Sequence, residues 1–218
     1  MVAIEHLSEN TLGSLNPNDL YLRVKSLFDR ALAAVLLIVL LPMLVAVGIA
    51  IMLDSPGGPI FRQKRMGFRG ETFMIWKFRT MRVVSDKIHE EAHRSAITTD
   101  NDPRVTRIGR TLRRYRIDEL PQIINILFGE MSFIGPRPEA EELSLWYSKE
   151  IPFYHYRHIL RPGLTGWAQV RQGHVAEIAD VRSKVYLDFF YIKYFSFWLD
   201  ILIVLRTVGI VSTGFGAK

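Results

Sequence analysis

The chain has 218 residues, no cysteine and a net charge of +6 at pH 7. This length suits one domain of ordinary size, and the lack of cysteine excludes disulfides, thiolate zinc sites and cysteine nucleophiles. The positive charge lies in one segment, because residues 54–118 contain 15 Lys and Arg against 8 Asp and Glu. Such a segment favours a polyanionic partner: nucleic acid, anionic lipid or a phosphorylated ligand.

A long apolar stretch follows a polar beginning. Residues 1–21 show no sustained periodicity and predict a flexible extension, without the pattern of a cleaved signal peptide. Within residues 22–54, Ala31 to Leu53 are 23 consecutive positions without a charge. As a helix they would measure roughly 35 Å, enough to cross a hydrocarbon core of about 30 Å. The stretch therefore predicts a helix inserted into a membrane.

Pro42 lies at the middle of this stretch and favours a re-entrant helix over a span. A proline kinks or breaks a helix, so each arm of about 11 residues would reach roughly 17 Å into the membrane. Basic residues flank both ends, whereas a spanning helix normally shows an asymmetry of positive charge. We expect a hairpin broken at Pro42 with both ends on the cytoplasmic side; a true span is the alternative.

Two short segments beyond the turn residues 55–59 predict a β-hairpin. Residues 60–67 and 73–81 mix apolar and cationic side chains, and Arg69-Gly70 between them suits a turn. Apolar and basic residues alternate in the second segment, which places Lys77 and Arg79 on one face.

Two metal-binding patterns occur in the polar region that follows. His89 and His93 fit the H-E-x-x-H pattern of zinc proteases, but their flanks do not form the buried apolar helix that would hold such ligands rigid. Asp100 and Asp102 resemble the D-x-D that holds a metal in many glycosyltransferases, although Asp102-Pro103 fits turn chemistry equally well.

Six arginines between residues 104 and 116 lead into the acidic pair Asp118-Glu119. Spacings of three place several of these arginines on one helix face, which would attract anions. Apolar residues then recur at helical spacing, and Pro121, tolerated in a first turn, places the start of a helix near Asp118. Asp118 and Asn125 fall on its polar face. Taken alone, the pair predicts an N-cap at Asp118 and a Glu119 that complements the helix dipole.

Two stiff loops each present an arginine. Prolines on both sides of Arg137 fix its backbone, so the guanidinium loses little entropy on binding, and a phosphate ligand is favoured. Arg161 lies in a loop that contains Pro162 and Gly163, where glycine allows close approach of a ligand or simply forms a turn.

The C-terminal part is rich in aromatic residues. Phe189 to Trp198 precede an apolar segment, but Lys193, Asp200 and Arg206 interrupt it too often for a second span. Interfacial amphipathic helices and a buried core segment both fit this pattern.

These features together resemble one family, the monotopic phosphoglycosyl transferases, also called bacterial sugar transferases. The resemblance covers roughly residues 22–211 and keeps the order of the family's motifs. One position departs, because the family often has Ser before the membrane proline where this chain has Leu41, which weakens the re-entrant interpretation and leaves catalysis untouched. The motifs are the Pro-containing apolar helix, Trp76-Lys77-Phe78-Arg79-Thr80-Met81, Asp118-Glu119-Leu120-Pro121-Gln122, Met131-Ser132-Phe133-Ile134-Gly135-Pro136-Arg137-Pro138 and Arg161-Pro162-Gly163-Leu164-Thr165-Gly166-Trp167.

The resemblance implies an α+β, predominantly helical fold. A re-entrant membrane helix hairpin at residues 22–54 would carry a small catalytic domain, residues 55–213, on the cytoplasmic face of the bacterial inner membrane, with interfacial amphipathic helices. Such enzymes transfer a sugar phosphate from a nucleotide sugar, here a UDP-hexose, to polyprenyl phosphate in the membrane lipid and release UMP. Nucleic acid is not an expected partner, and a homodimer is an open option.

By the same resemblance, Asp118 is the nucleophile that forms an aspartyl-phosphosugar, and Glu119 helps to bind Mg²⁺. Phosphoryl transfer depends mainly on positioning and charge neutralisation, so an anionic nucleophile needs cations to approach a diphosphate. Two other classes compete: a zinc protease that uses His89 and His93, and a membrane anchor whose basic segment binds acidic lipid or nucleic acid. The candidate phosphate ligands are Arg113, Arg137 and Arg161, with Lys77 and Arg79 less certain.

Overall fold

The computed structural model of the chain describes residues 20–82, 102–172 and 178–213. Over these ranges the protein is mostly helical, with two small sheets, which confirms the predicted α+β class with a predominance of helix. The helices are α1 (Leu20–Asp54), α2 (Arg107–Arg114), α3 (Ile123–Phe128), α4 (Glu141–Glu150), α5 (Trp167–Gln172), α6 (Ile178–Tyr194) and α7 (Phe197–Thr213). The strands are β1 (Ile60–Met66), β2 (Thr72–Phe78), β3 (Ser132–Ile134) and β4 (Gly163–Thr165), and 3₁₀ turns cover Phe68–Gly70, Ile117–Gln122 and Tyr154–Ile159.

The long helix α1 lies along the rest of the protein. Its 35 residues are helical without interruption through Pro42, and it is long and apolar enough to cross a membrane. One face contacts the domain on both sides of the proline: Ala33 and Leu40 pack in the cluster around α3 and β2, and Val47 and Ile51 pack against α2 and the end of β2. The opposite face is exposed, so α1 covers the domain on one side and presents apolar surface on the other.

The predicted β-hairpin is confirmed. Strands β1 and β2 are antiparallel, with Ile60 opposite Phe78 and Met66 opposite Thr72. The connection is a 3₁₀ turn in which Arg69 adopts a left-handed conformation with φ of 58°. The register leaves Lys77 near the end of β2, where its side chain can leave the sheet toward a neighbouring element.

The short helix α3 fills the space between α1 and β2. Ile123 and Ile126 are buried, as their helical spacing predicts, but so is Asn125 on the polar face. The Asn125 side-chain oxygen accepts a hydrogen bond from the Trp76 backbone N–H at 3.1 Å, and its amide nitrogen donates to the Met74 carbonyl at 2.8 Å. The polar face of this helix therefore holds the edge of the hairpin and does not face solvent.

The second sheet brings two loops together. Strands β3 and β4 are parallel, with Ser132 opposite Gly163 and Ile134 opposite Thr165. A side chain at Gly163 would collide with the backbone of Gly135, so glycine is needed for this close approach. The sheet thus fixes the loop that follows β3 against the loop that precedes β4.

The C-terminal segment forms two helices, of which α6 packs in the core and α7 is largely exposed. Helix α6 is a core element, since Phe189 and Ile192 are buried among residues of the largest hydrophobic cluster. Helix α7 is mostly outside it: Ile203 is fully buried, whereas Trp198 is 78% exposed and Leu205 is 65% exposed. The first segment is therefore buried, and the second has the apolar exposed face of an interfacial helix.

A polar cluster joins the first turn of α1 to α7. Asp200 accepts hydrogen bonds from Tyr21 at 2.9 Å, from Lys25 at 2.7 Å and from Tyr191 at 2.7 Å. Burial and the charge of Asp200 raise the pKa of Tyr191 well above its usual value, so the phenol stays a donor. The cluster secures α1 to the domain before its uncharged stretch begins.

Candidate active site

The acidic pair lies in a 3₁₀ turn, Ile117–Gln122, between α2 and α3. Arg116, in a left-handed conformation with φ of 57°, precedes the turn and occupies its N-cap position without a side-chain capping bond. Asp118 is therefore inside the first turn, and the predicted N-cap at this residue is wrong. Pro121 lies within the same turn, where the missing N–H costs little.

Glu119 is buried and held by two cations from different elements. Its Oε1 accepts from Lys77 Nζ at 3.0 Å and from Arg137 Nη2 at 2.5 Å, and its Oε2 accepts from Arg137 Nη1 at 3.2 Å. Burial opposes ionisation of the Glu119 carboxyl, but the charges of Arg137 and Lys77 outweigh it and hold the pKa well below its usual value. Glu119 is thus a fixed anion with a bidentate guanidinium partner.

Asp118 differs from Glu119 both in its hydrogen-bond partners and in the direction of its pKa shift. Its Oδ1 is buried and has no hydrogen-bond partner among the described residues. Burial first, and the charge of Glu119 second, raise the pKa of Asp118 to about 6, against the opposing charges of Lys77 and Arg113. Because buried polar atoms are almost always paired, an acceptor left open in this way indicates a site for a ligand.

The acidic pair also influences the pKa values of the surrounding cations. Burial lowers the pKa of Lys77, although Glu119 opposes this shift, and Glu119 raises the pKa of Arg137. Burial also lowers the pKa of Arg113, whose Nε donates to Thr80 Oγ1 at 2.9 Å, while the charge of Asp118 acts in the other direction. Lys77, Arg113 and Arg137 therefore share one electrostatic environment with the acidic pair.

The loop that carries Arg137 is held by two arginines that the sequence analysis did not single out. Arg157 Nη2 donates to the Arg137 carbonyl at 2.9 Å, and Arg65 Nη1 donates to the Pro138 carbonyl at 3.0 Å. Arg157 is itself buried and forms an ion pair with Asp188 at 2.7 Å. Neither arginine lies in a recognisable motif, and only the tertiary contacts reveal them.

Two of the predicted phosphate ligands lie elsewhere. The Arg79 side chain is buried and donates to the Ser55 carbonyl at 2.7 Å and to the Pro56 carbonyl, which places it under the turn that follows α1. Arg161 Nε donates to the Gly129 carbonyl at 2.8 Å, at the far end of α3 from the acidic pair. Within the described part of the chain, neither guanidinium forms a hydrogen bond or ion pair with Asp118 or Glu119.

Of the two alternative metal-binding patterns, the structure describes only Asp102. Asp102 forms an ion pair with Arg104 at 2.5 Å, and the same arginine donates to both carboxylate oxygens. This residue therefore acts as a turn element with a satisfied charge. Asp100, His89 and His93 lie outside the described residues.

The acidic pair suits a magnesium ion whose remaining ligands come from the substrate. An ionised carboxylate has about four lone-pair positions, and three hydrogen bonds reach Glu119, so its Oε2 keeps one position while Asp118 Oδ1 is open. Mg²⁺ prefers oxygen ligands and often uses one or two carboxylates together with substrate phosphates. Within the described ranges there is no cluster of three or more His, Asp or Glu that could hold a metal by itself.

The fold and site together define a class of protein. An open buried carboxylate beside several cations is suited to attack on a phosphate, and the apolar length of α1 indicates an enzyme that associates with a membrane. The sequence profile of the bacterial sugar transferase family matches residues 20–214, and the chain belongs to this family. The family predicted from the sequence is thereby confirmed.

Curated relatives agree with this assignment. The chain is 47% identical over 217 residues to UDP-N-acetylgalactosamine-undecaprenyl-phosphate N-acetylgalactosaminephosphotransferase of Aeromonas hydrophila, covering 100% of this chain and 50% of the relative. It is 41% identical to UDP-glucose:undecaprenyl-phosphate glucose-1-phosphate transferase of Xanthomonas campestris pv. campestris, over 89% of this chain and 40% of the relative. It is 40% identical to the exopolysaccharide production protein PSS of Rhizobium leguminosarum bv. phaseoli, over 85% of this chain and 93% of the relative. The chain thus spans half or less of the length of the first two relatives.

Proposed function

We propose that the protein transfers a sugar 1-phosphate from a UDP-sugar to undecaprenyl phosphate and releases UMP. The observation that carries this proposal is the open, buried oxygen of Asp118 beside a Glu119 whose charge is already matched by Lys77 and Arg137. The names of the relatives supply the substrate class, since they act on UDP-sugars and undecaprenyl phosphate. The product would be a lipid-linked sugar at the start of exopolysaccharide or glycoconjugate assembly.

The proposed reaction has two displacements at one phosphorus atom. Asp118 Oδ1 attacks the β-phosphorus of the UDP-sugar, and the bond to the bridging oxygen breaks, so UMP leaves with the electron pair. An aspartyl-phosphosugar remains. A phosphate oxygen of undecaprenyl phosphate then attacks the same phosphorus and restores the Asp118 carboxylate. Both steps balance without an added oxidant, reductant or net proton transfer.

The other side chains act on charge and position. Arg113 and Lys77 would neutralise the diphosphate as the anionic carboxylate approaches it, which is the main requirement of phosphoryl transfer. Glu119 fixes the direction of the Arg137 guanidinium through its bidentate contact. Glu119 would help to hold Mg²⁺ through Oε2, which leaves Asp118 Oδ1 free to attack. When bound, the ion would supply further positive charge beside the phosphates.

Helix α1 is continuous through Pro42, where the sequence predicted a break. We nevertheless propose that α1 lies in one leaflet with both ends on the cytoplasmic side, and that the domain lies on the cytoplasmic face of the inner membrane. Domain contacts on both sides of the proline support this arrangement. If α1 crossed the bilayer, the helix α2 and strand β2 that pack along it would be drawn into hydrocarbon. The Arg113 and Lys77 side chains of those elements are too costly to bury there.

Asp118→Asn tests the nucleophile. We expect UMP release from a UDP-sugar, in the presence of undecaprenyl phosphate and Mg²⁺, to fall by at least about a thousandfold, because the amide is a poor nucleophile. Asp180→Asn is the matched control, since Asp180 is exposed on α6 and should retain the wild-type rate. UMP release at the wild-type rate by Asp118→Asn would contradict the proposal, and release of UDP would indicate an ordinary glycosyltransferase.

A further inference from the structure

Two arginines meet at the end of α3 that points away from the acidic pair. Gly129 ends this helix with φ of 78°, and any side chain there would collide with the Arg30 guanidinium, which lies directly against it. The Arg161 Nε donates to the carbonyl of the same glycine at 2.8 Å. Gly129 therefore needs both its left-handed backbone and its missing Cβ, and the two guanidiniums lie close to each other across it.

Neither guanidinium has a carboxylate partner in the described part of the chain. Asp29, whose charge opposes the lowering of the Arg161 pKa, is buried and accepts a hydrogen bond from Ser132 Oγ at 2.5 Å. Among the described residues, no ion pair within 4.0 Å joins Asp29 to Arg30 or Arg161. Burial, and then the charge of Arg30, lower the pKa of Arg161. Two like charges held together without an anion form a site that an anion would stabilise.

The contacts with Gly129 could have a purely structural purpose, because cations favour a helix C-terminus. One guanidinium nitrogen satisfies that carbonyl, however, and the Arg161 guanidinium also lies over the Phe68 ring, 5.3 Å from its centroid. The other Arg161 nitrogens and the exposed Arg30 side chain form no hydrogen bond with the described residues. Their surroundings are apolar and exposed: Phe128 is 68% exposed, and Leu27 is 72% exposed. Arg30 is also the last charged residue before the uncharged stretch of α1.

We propose that Arg30 and Arg161 bind the headgroup phosphate of an anionic glycerophospholipid. Paired guanidiniums match the geometry of phosphate oxygens, and exposed apolar side chains beside them suit the acyl region of the same lipid. The site is separate from the acidic pair. The acidic pair lies in the turn that precedes α3, whereas Gly129 ends this helix, so the two sites lie at opposite ends of α3.

The test uses the full chain in detergent without nucleotide sugar, so that its result does not depend on the proposed reaction. Thermal unfolding is followed while dihexanoyl phosphatidylglycerol, dihexanoyl phosphatidylcholine or inorganic phosphate is added. A ligand that binds the folded state raises Tm according to its affinity. We expect phosphatidylglycerol to raise the Tm of the wild-type chain at concentrations where the other two do not.

Arg30→Gln should raise the phosphatidylglycerol concentration needed for half of this shift by about fivefold, the effect expected for one basic residue near an anionic lipid. Arg30→Lys should also weaken binding, because the ammonium keeps the charge but loses the planar pair of donors. Lys193→Gln is the matched control: it removes an exposed cation in the aromatic segment and should leave the titration unchanged.

Four results would overturn the proposal. A loss of phosphatidylglycerol binding in Lys193→Gln equal to that in Arg30→Gln would show that the lipid responds to the general positive charge of the protein. Full binding of phosphatidylglycerol by Arg30→Lys would show the same. A full shift with inorganic phosphate would show a free-anion site. Displacement of phosphatidylglycerol by much lower concentrations of polyprenyl phosphate would assign the arginines to the acceptor lipid.

Discussion

At the scale of single residues, adjacent carboxylates have opposite ionisation behaviour. Glu119 is surrounded by positive charge and ionises easily, whereas Asp118 keeps an open oxygen and a pKa of about 6. The difference comes from partners and not from sequence, since the two acids are neighbours in one turn. Environments that separate the pKa values of paired acids are a common way of assigning them different chemical tasks.

The raised pKa of Asp118 predicts how activity depends on pH. The nucleophile must be ionised, so kcat/KM for the UDP-sugar should fall as pH decreases through about 6. Lys77 favours the ionised form of Asp118, and Lys77→Gln should therefore move this acid limb to higher pH as well as reduce the rate. A pH profile of initial rates measures both effects.

Lys64→Gln provides the comparison for this profile, because Lys64 is exposed and pairs with Glu141 on the outside of the hairpin. Its acid limb should match that of the wild type. A Lys77→Gln profile that coincided with the wild-type curve would mean that Lys77 does not influence the ionisation of Asp118.

At the scale of elements, the loop with Arg137 depends on parts of the chain that are distant in sequence. Arg157, from the 3₁₀ turn Tyr154–Ile159, reaches the Arg137 carbonyl and at the same time pairs with Asp188 on α6. Arg65 reaches the same loop from β1. The position of the loop that carries Arg137 is therefore set by three elements, two of which contribute to the largest hydrophobic cluster.

Arg157→Leu should destabilise the protein by about 3–5 kcal/mol, because it leaves the Asp188 carboxylate buried without its partner. The double variant Arg157→Leu/Asp188→Leu should recover part of this loss, since it removes both charges. Urea unfolding in detergent measures the free energies. Arg182→Leu, at an exposed position on α6, should change stability by no more than about 0.5 kcal/mol. A single variant as stable as this control would show that the buried pair contributes nothing.

At the scale of the whole molecule, the membrane surface is built from separate parts of the chain. The outer face of α1 and the exposed residues of α7 are apolar, and the polar cluster at Asp200 fixes these helices to each other. The family and the long apolar helix indicate association with a membrane. The contacts of α1 on both sides of Pro42 support a position on one leaflet.

Labelling of engineered cysteines tests this topology, because the natural chain has none. Cysteines at residues 2 and 217 should both be protected from a membrane-impermeant maleimide added outside intact cells, and both should react after the cells are opened. Labelling of only one of them from outside would establish a spanning helix.

Local patterns predicted the hairpin β1–β2, because its strands and turn are close in sequence. The catalytic roles of Asp118 and Glu119 came from the family resemblance, because the pair taken alone predicted only a helix cap, and they stay predictions. The prediction of an N-cap at Asp118 was wrong because Arg116, in a left-handed conformation, occupies the N-cap position of the turn. Arginine rarely adopts this conformation, and no sequence pattern predicted it. The partners of Arg79 and Arg161 are backbone carbonyls brought in by tertiary structure. For the same reason Arg65 and Arg157 could not be recognised from the sequence.

The hydrogen bond from Tyr21 to Asp200 joins residues that are 179 positions apart. During synthesis α1 leaves the ribosome before α7, so the carboxylate that secures its first turn is made long after α1 itself. The apolar helix must therefore find the membrane before the domain can close on it. Contacts of such long sequence separation form slowly, so the contact between α1 and Asp200 is expected to be among the last to form.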